Sequence, residues 1–260
     1  MASTPIPEER HEHILALLAQ QEIASLEELQ DATSASPATT RRDLAALAGR
    51  GLIERTRGGA RLLAQDSSLD EEFGRRRRKN ARAKRAIAGA AAELVPSGAS
   101  VFLNDGSTVF ALAQELARRG EEAWIATNAL NVAELLARSP RFQVTVIGGS
   151  LRHSSFGTIG PFATGAIRDL HVDLAFLGCD GIDARGGVRS NNVFDAEVAR
   201  AMAEAAGRVV VMADSSKVGA LARAQVVGWE RVDELVTDGV PGALERAVGR
   251  RGVEVRVASA

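Results

Sequence analysis

From residue 99 to 237, short apolar runs alternate with amphipathic stretches, and that alternation leaves few folds open. The runs are Ser100–Leu103, Ala123–Ala126, Gln143–Ile147, Val172–Leu177, Val209–Ala213 and Leu235–Thr237. Apolar residues spaced for helices fill 108–119, 129–138, 160–169, 194–206 and 241–250. Runs that are apolar on both faces, separated by helices, imply an α/β fold with a mainly parallel sheet covered on both sides. In such sheets ligands collect beyond the carboxyl ends of the strands.

The loop after each of the first five runs is rich in small and polar residues. Asn104-Asp105-Gly106-Ser107-Thr108 comes after the first, Thr127-Asn128 after the second, and Gly148-Gly149-Ser150-Leu151-Arg152 after the third. Cys179-Asp180-Gly181-Ile182-Asp183 stands after the fourth, and Asp214-Ser215-Ser216-Lys217 after the fifth. Gly106, Ser107 and Thr108 can offer N–H and hydroxyl donors at a helix N-terminus, where the helix dipole favours an anion. Lys217 is one of only three lysines against 29 arginines, a compact point charge suited to phosphate or sugar oxygen. Asp105, Asp180 and Asp183 suit sugar hydroxyls, and Gly148 with Gly149 would allow close backbone approach. Thr127, Asn128, Arg152 and Glu197 complete the candidate set for a hydroxylated, phosphorylated small molecule.

The first 63 residues differ in character. Pro7 to Gln21 has Ile14, Leu15, Leu17 and Leu18 at helical spacing. Ser25 with Glu28 forms a capping box for a second short helix. Ser36-Pro37 opens a third helix, with Leu44 and Leu47 inward and Gly51 as its expected left-handed cap. Leu52-Ile53 and Leu62-Leu63 flank an arginine-rich hairpin with Gly58-Gly59 at its turn. Three short helices and a basic hairpin read as a winged helix-turn-helix. Ser36, Thr39, Thr40, Arg41 and Arg42 then lie where a recognition helix meets bases and phosphates, and Asp43 would hold one of the arginines in place. Arg55, Arg57 and Arg61 would run along the DNA backbone or reach into the minor groove.

Charge is segregated to match. The whole chain has a formal net charge of −1, yet residues 73–85 carry eight Lys or Arg and no acid. Basic residues confined to one region of a near-neutral chain are what a protein shows when it meets phosphate with that region alone. Residues 64–85 are expected to be a basic linker, and 86–260 the α/β domain. One cysteine, Cys179, precludes an intrachain disulfide or a cysteine-rich metal site. Met1 to Arg10 lacks the apolar centre of a signal peptide, so a cytoplasmic location is expected, with no membrane partner.

The strings Ser36-Pro37-Ala38-Thr39-Thr40-Arg41-Arg42-Asp43-Leu44, Gly51-Leu52-Ile53 and Arg57-Gly58-Gly59-Ala60 resemble the DeoR family of bacterial transcriptional regulators. Thr40 stands where that family usually has isoleucine. The strand-end motifs resemble the family's sensor domain, related to the ribose-5-phosphate isomerase fold. The resemblance implies a repressor of carbohydrate-metabolism genes, binding paired half-sites of double-stranded operator DNA as a homodimer or homotetramer. It also implies a phosphorylated sugar-type effector, with no cofactor, no metal and no catalytic residue. The alternative is a sugar-phosphate isomerase with an appended DNA-binding domain. Against it, the isomerase motif Asp-Gly-Ala-Asp-Glu is broken here, with Ala184-Arg185 after Asp183. An enzyme needs its acid–base group in place, whereas a sensor needs only the binding groups.

Overall fold

The computed structural model describes residues 6–21, 23–50, 52–62 and 68–258. The expected cap Gly51 and Leu63 of the hairpin lie outside the described residues, as does 64–67 of the expected linker. The chain divides into two compact units, Met1–Ser68 and Leu69–Ala260.

The smaller unit begins with α1 (Pro7–Gln21), β1 (Ile23–Ser25), α2 (Leu26–Thr33) and α3 (Pro37–Gly49). It ends with the hairpin β2 (Ile53–Thr56) and β3 (Gly59–Leu62). The Ser25 capping box forms as read: Ser25 Oγ accepts from the Glu28 N–H, and Glu28 Oε2 accepts from the Ser25 N–H at 2.7 Å. Ser36 caps α3 with Pro37 in the first turn. Ile14, Leu18, Leu29, Leu44, Leu47 and Ile53 close one small core. The strand β1 was not evident in the sequence. It pairs antiparallel with β3 and makes the wing a three-stranded sheet, order β1-β3-β2. The turn is Arg57-Gly58, with Gly59 already in the ladder, because β1 runs so close that a Cβ at 59 would sit 2.0 Å from the Ala24 carbonyl oxygen.

The division falls at the first residue of α4 (Ser68–Arg78), so the larger unit holds the rest of that helix and then α5 (Ala81–Ala92). The basic stretch read as a linker is therefore helical from 68 to 78 and again from 81. Its anchor is Phe73, 5% exposed, which packs edge-on against Phe110 and Phe156 at 5.7 and 5.6 Å between ring centroids. Arg77 lies 4.6 Å from the Phe110 centroid, a cation–π contact that uses one of the charges of the expected basic linker.

Then come β4 (Ala99–Leu103), α6 (Ser107–Arg119), β5 (Ala123–Thr127), α7 (Leu130–Ala137) and β6 (Phe142–Val146). A short hairpin, β7 (Ser150–Arg152) and β8 (Gly157–Ile159), leads to α8 (Pro161–Arg168) and β9 (Val172–Gly178). Next are β10 (Gly181–Asp183), β11 (Gly187–Ser190), α9 (Val193–Glu204), β12 (Ala206–Met212) and β13 (Ala224–Val227). The unit ends with β14 (Glu234–Thr237), α10 (Gly242–Gly249) and β15 (Glu254–Val257). All six expected strands lie in one seven-stranded parallel sheet, order β15-β14-β12-β9-β4-β5-β6, which β15 extends. One apolar cluster under α8, α9 and α10 covers one face, and a second under α5, α6 and α7 covers the other. After β4 the chain adds strands outward to β6, then returns to place β9 on β4's other side. That reversal leaves a crevice between the carboxyl ends of β4 and β9. Among the described residues no helix is long and apolar enough to cross a membrane.

Gly59→Ala tests the packing of the wing. The added methyl group collides with backbone that cannot rotate away, so a loss of about 1–3 kcal/mol is expected, read as a lower urea midpoint for the smaller unit. An unchanged midpoint would show that β1 yields at that point.

Candidate functional site

In the smaller unit, α3 separates its two faces cleanly. Thr40, Asp43, Leu44 and Leu47 are buried, whereas Arg41 and Arg42 are exposed. Thr39 is partly exposed beside the Ser36 cap, its hydroxyl 2.9 Å from Ser36 Oγ. Two expectations need correction. Thr40 is fully buried and its hydroxyl donates to the Ser36 carbonyl, so it is a packing residue with no face toward DNA. Asp43 does not hold Arg41 or Arg42. It receives a bidentate pair from Arg10 of α1, at 2.7 and 3.0 Å, and so locks α3 to α1. Fork-to-carboxylate geometry fixes orientation as well as distance, which steadies the helix that carries the two exposed arginines. On the wing Arg55 and Arg57 are exposed, while Arg61 donates to Glu54 across the hairpin at 2.7 Å.

In the larger unit, the crevice between β4 and β9 gathers most of the strand-end candidates. It encloses roughly 740 Å³, counting its open mouth, and Asp105, Gly106, Ser107, Thr108, Asp180 and Lys217 all line it. Asn104 opens it. Its side-chain amide accepts from the Gly178 N–H at 2.8 Å and donates to the Gly178 carbonyl at 3.2 Å, replacing strand pairing where β4 and β9 diverge. Gly106 caps α6 at φ +137°, a conformation open to glycine alone in practice, and the first-turn N–H groups of α6 lack carbonyl partners by helix geometry.

Asp105 sits where Gly157 leaves room: a Cβ at 157 would lie 2.8 Å from its carboxyl carbon. Asn128 stands behind it, donating to Asp105 at 3.4 Å and to the Thr158 carbonyl at 3.0 Å. Asp180 is steadied by the Asn191 N–H at 2.8 Å and the Ser190 hydroxyl at 3.3 Å. Cys179 also lines the crevice, but burial pushes its thiol up to about 12, which removes it as a nucleophile.

Other expected residues are elsewhere. Thr127 is fully buried, donating to the Leu103 carbonyl and accepting from the Ala129 N–H. Gly148 and Gly149 do not line the crevice. At φ +151°, Gly149 passes so close to β8 that a Cβ would be 2.7 Å from the Ile159 oxygen, so the close approach is to the chain itself. Asp183 folds back on the β10–β11 turn and accepts from the Arg185 and Gly186 N–H groups. Glu197 is exposed on α9. Arg152 contributes from outside, pairing with Asp195 at 2.9 Å.

A whole wall of the crevice was not evident in the sequence. Arg76, Lys79, Asn80 and Lys84 line it from the α4–α5 segment, with Ser190 and Asp195 from the core, and Asp214 and Ser216 join them from the strand-end loop that carries Lys217. Asp214 accepts from Asn80 Nδ2 at 2.9 Å and from the Ser216 N–H at 3.1 Å. Burial alone would raise its pKa. The Ser216 and Asn80 hydrogen bonds and the Lys217 charge outweigh burial and hold it below the usual carboxylate range. Lys84 is shifted the other way: burial lowers its pKa, Lys217, Arg76 and Lys79 lower it further, and Asp214 opposes. Two buried atoms on lining residues have no hydrogen-bond partner, the donor Arg76 Nε and the acceptor Asp195 Oδ1. Buried polar groups are seldom left unpaired, so these two leave one donor and one acceptor open on residues that line the crevice.

Burial, then the neighbouring Asp105 charge, pushes Asp195 up to about 7 against the pull of Arg152. Between about pH 4 and 7 the folded chain keeps a proton that the unfolded chain has lost, so stability falls as pH rises through that window. Asp195→Asn should flatten that fall, seen in urea midpoints measured across the window. A profile parallel to the parent's would place Asp195 in its ordinary range.

Residues 79–239 match the DeoR C-terminal sensor domain, and residues 10–66 the DeoR-like helix-turn-helix domain. The chain is 35% identical to the glycerol-3-phosphate regulon repressor of Escherichia coli, over 90% of this chain and 91% of that protein. It is 33% identical to the transcriptional repressor CsqR of the same species, over 90% and 88%. To the transcriptional regulator GlpR of Haloferax volcanii it is 34% identical, over 93% of each. Among solved structures, ribose 5-phosphate isomerase A from Neisseria gonorrhoeae aligns with a TM-score of 0.37 at 20% identity, over 54% of this chain and 53% of that one. With both domains matched and the relatives spanned almost end to end, the chain belongs to the DeoR family of DNA-binding transcriptional regulators.

Proposed function

We propose that this protein represses carbohydrate-related genes and that a phosphorylated sugar-type metabolite, held in the β4–β9 crevice, sets its affinity for operator DNA. The crevice carries the reading. Arg76, Lys79, Lys84 and Lys217 line it with cations, and Asp105, Asp180 and Asp195 line it with carboxylates. A phosphate meets the first, with Ser107 and the opening turn of α6. Hydroxyl groups donate to the second, including the unpaired oxygen of Asp195. The names of the relatives agree in kind, one being a glycerol-3-phosphate regulon repressor.

On the DNA side, Arg41 and Arg42 with Thr39 read base edges and flanking phosphates, and Arg55 and Arg57 track the backbone from the wing. Ser36 contributes as the cap that starts α3. Recognition by such helices uses paired half-sites, so the working form is a homodimer or homotetramer. Nothing in this reading requires catalysis. The carboxylates and cations act as binding groups, and ligand works only through a difference in affinity between DNA-competent and DNA-incompetent arrangements.

Duplexes selected from a randomised library supply the operator for a mobility-shift titration at fixed salt. Arg41→Ala and Arg42→Ala should each weaken binding by roughly 10-fold or more, since a good base contact is worth about 1–3 kcal/mol. Parent-like affinity in both variants would refute the assignment of α3. Separately, Lys217→Ala and Asp105→Ala should retain operator binding and lose the response to sugar phosphates. If both still respond like the parent, the effector site lies elsewhere.

A further inference from the structure

We propose that the connecting helix is itself part of the ligand site: a phosphate group in the crevice fastens the last turn of α4 to the α/β core through Arg76, Lys79 and Lys84. This rests on the reading of the crevice as a site for phosphorylated molecules. It adds how occupancy is conveyed to the segment that leads, along the chain, to the DNA-binding unit.

The joint between α4 and α5 is made of crevice residues. Asn80 turns the chain in a left-handed conformation, φ 55°, between the two helices. Its side-chain amide reaches the core, donating to Asp214 Oδ1 at 2.9 Å and to Ser216 Oγ at 3.1 Å. Lys84, 6% exposed, closes the end of α4 by donating to the Lys79 carbonyl at 2.6 Å and to the Arg76 carbonyl. An ammonium group has three N–H donors, so the third is left for the crevice that Lys84 lines.

The charges make the joint sensitive to an anion. Arg76 on α4 and Lys79 just beyond its end converge with Lys84 on α5 and Lys217 on the core, and Asp214 is the carboxylate that Lys84 and Lys217 both feel. Without an anion, the cations of α4 repel Lys217 and oppose close docking of the helix end. A phosphate dianion turns that repulsion into a shared attraction, because each cation gains a charge-assisted partner. Arg76 marks the place. One guanidinium nitrogen donates to the Ser154 carbonyl, while Nε is buried with no acceptor. Phe73 holds the middle of α4 in either state, so the change is confined to the last turn and the joint.

Hydrogen–deuterium exchange on the full-length protein, at constant ionic strength, tests this with inorganic phosphate and glucose 6-phosphate as probes. Saturation should slow exchange of the amides in 75–82 by about tenfold, the scale of a local opening equilibrium, and also protect those of 106–109 at the start of α6. Arg76→Met should weaken phosphate binding by about tenfold, since it removes a hydrogen bond to a charged group, and should abolish the protection of 75–82 while that of 106–109 persists. Two results overturn the proposal and leave the ligand site standing: protection of 106–109 with 75–82 unchanged in the parent, or undiminished protection of 75–82 in the variant. No protection in either segment, with no thermal shift from either probe, would overturn both the proposal and the reading of the crevice.

Discussion

A reversal in strand order governs the larger unit. Parallel strands joined by right-handed crossovers can be added on one side of β4 or the other, and here the chain does both. The connections leaving β4 and β9 therefore depart in opposite directions and cannot cover the gap between them. The crevice opens at that gap, and the loops beside it supply much of its lining. Asp105 to Thr108 enter as the chain leaves β4, and Asp180 enters as it leaves β9. Lys217 comes from the short turn after β12, the next strand in the sheet.

The parallel strands were legible because they are buried on both faces, so their sequences stay apolar throughout and the intervening helices show a 3.6-residue period. The elements that escaped notice lack this contrast. The pair β7 and β8 has three residues per strand, and β15 mixes Glu254 and Arg256 with valines because it forms an edge. The α4 helix reads as a charge run, and its covered side is carried by Phe73 at its centre.

Site residues divide in the same way. Position after a strand led to Asp105 to Thr108, Asp180 and Lys217, which line the crevice, but equally to Thr127, Gly149 and Asp183, which the chain uses for its own packing and turns. Lys84 and Asp195 were not legible, because their roles arise from neighbours far away in sequence: Asp214 and Lys217 for the first, Arg152 and Asp105 for the second. Asp43 teaches the same lesson in the smaller unit. Two arginines precede it, yet helical geometry points it inward to Arg10 of α1, 33 residues earlier. Adjacent residues on a helix do not face each other, so an acid beside two arginines seldom pairs with either. Thr40 behaves likewise: its hydroxyl turns back to the Ser36 carbonyl at the start of its own helix, which lets a polar residue occupy a core position.

The Asn104 amide has a consequence for how such a pocket can change. A carboxamide offers one donor and one acceptor in a plane, the same pair that a peptide unit offers, so it can end a β-ladder without stranding Gly178. Leucine at 104 would leave both Gly178 groups wanting, and aspartate would satisfy only the N–H. The depth of the pocket is thus set by a side chain posing as backbone, so a substitution on the walls can change what the pocket holds without touching this one false rung.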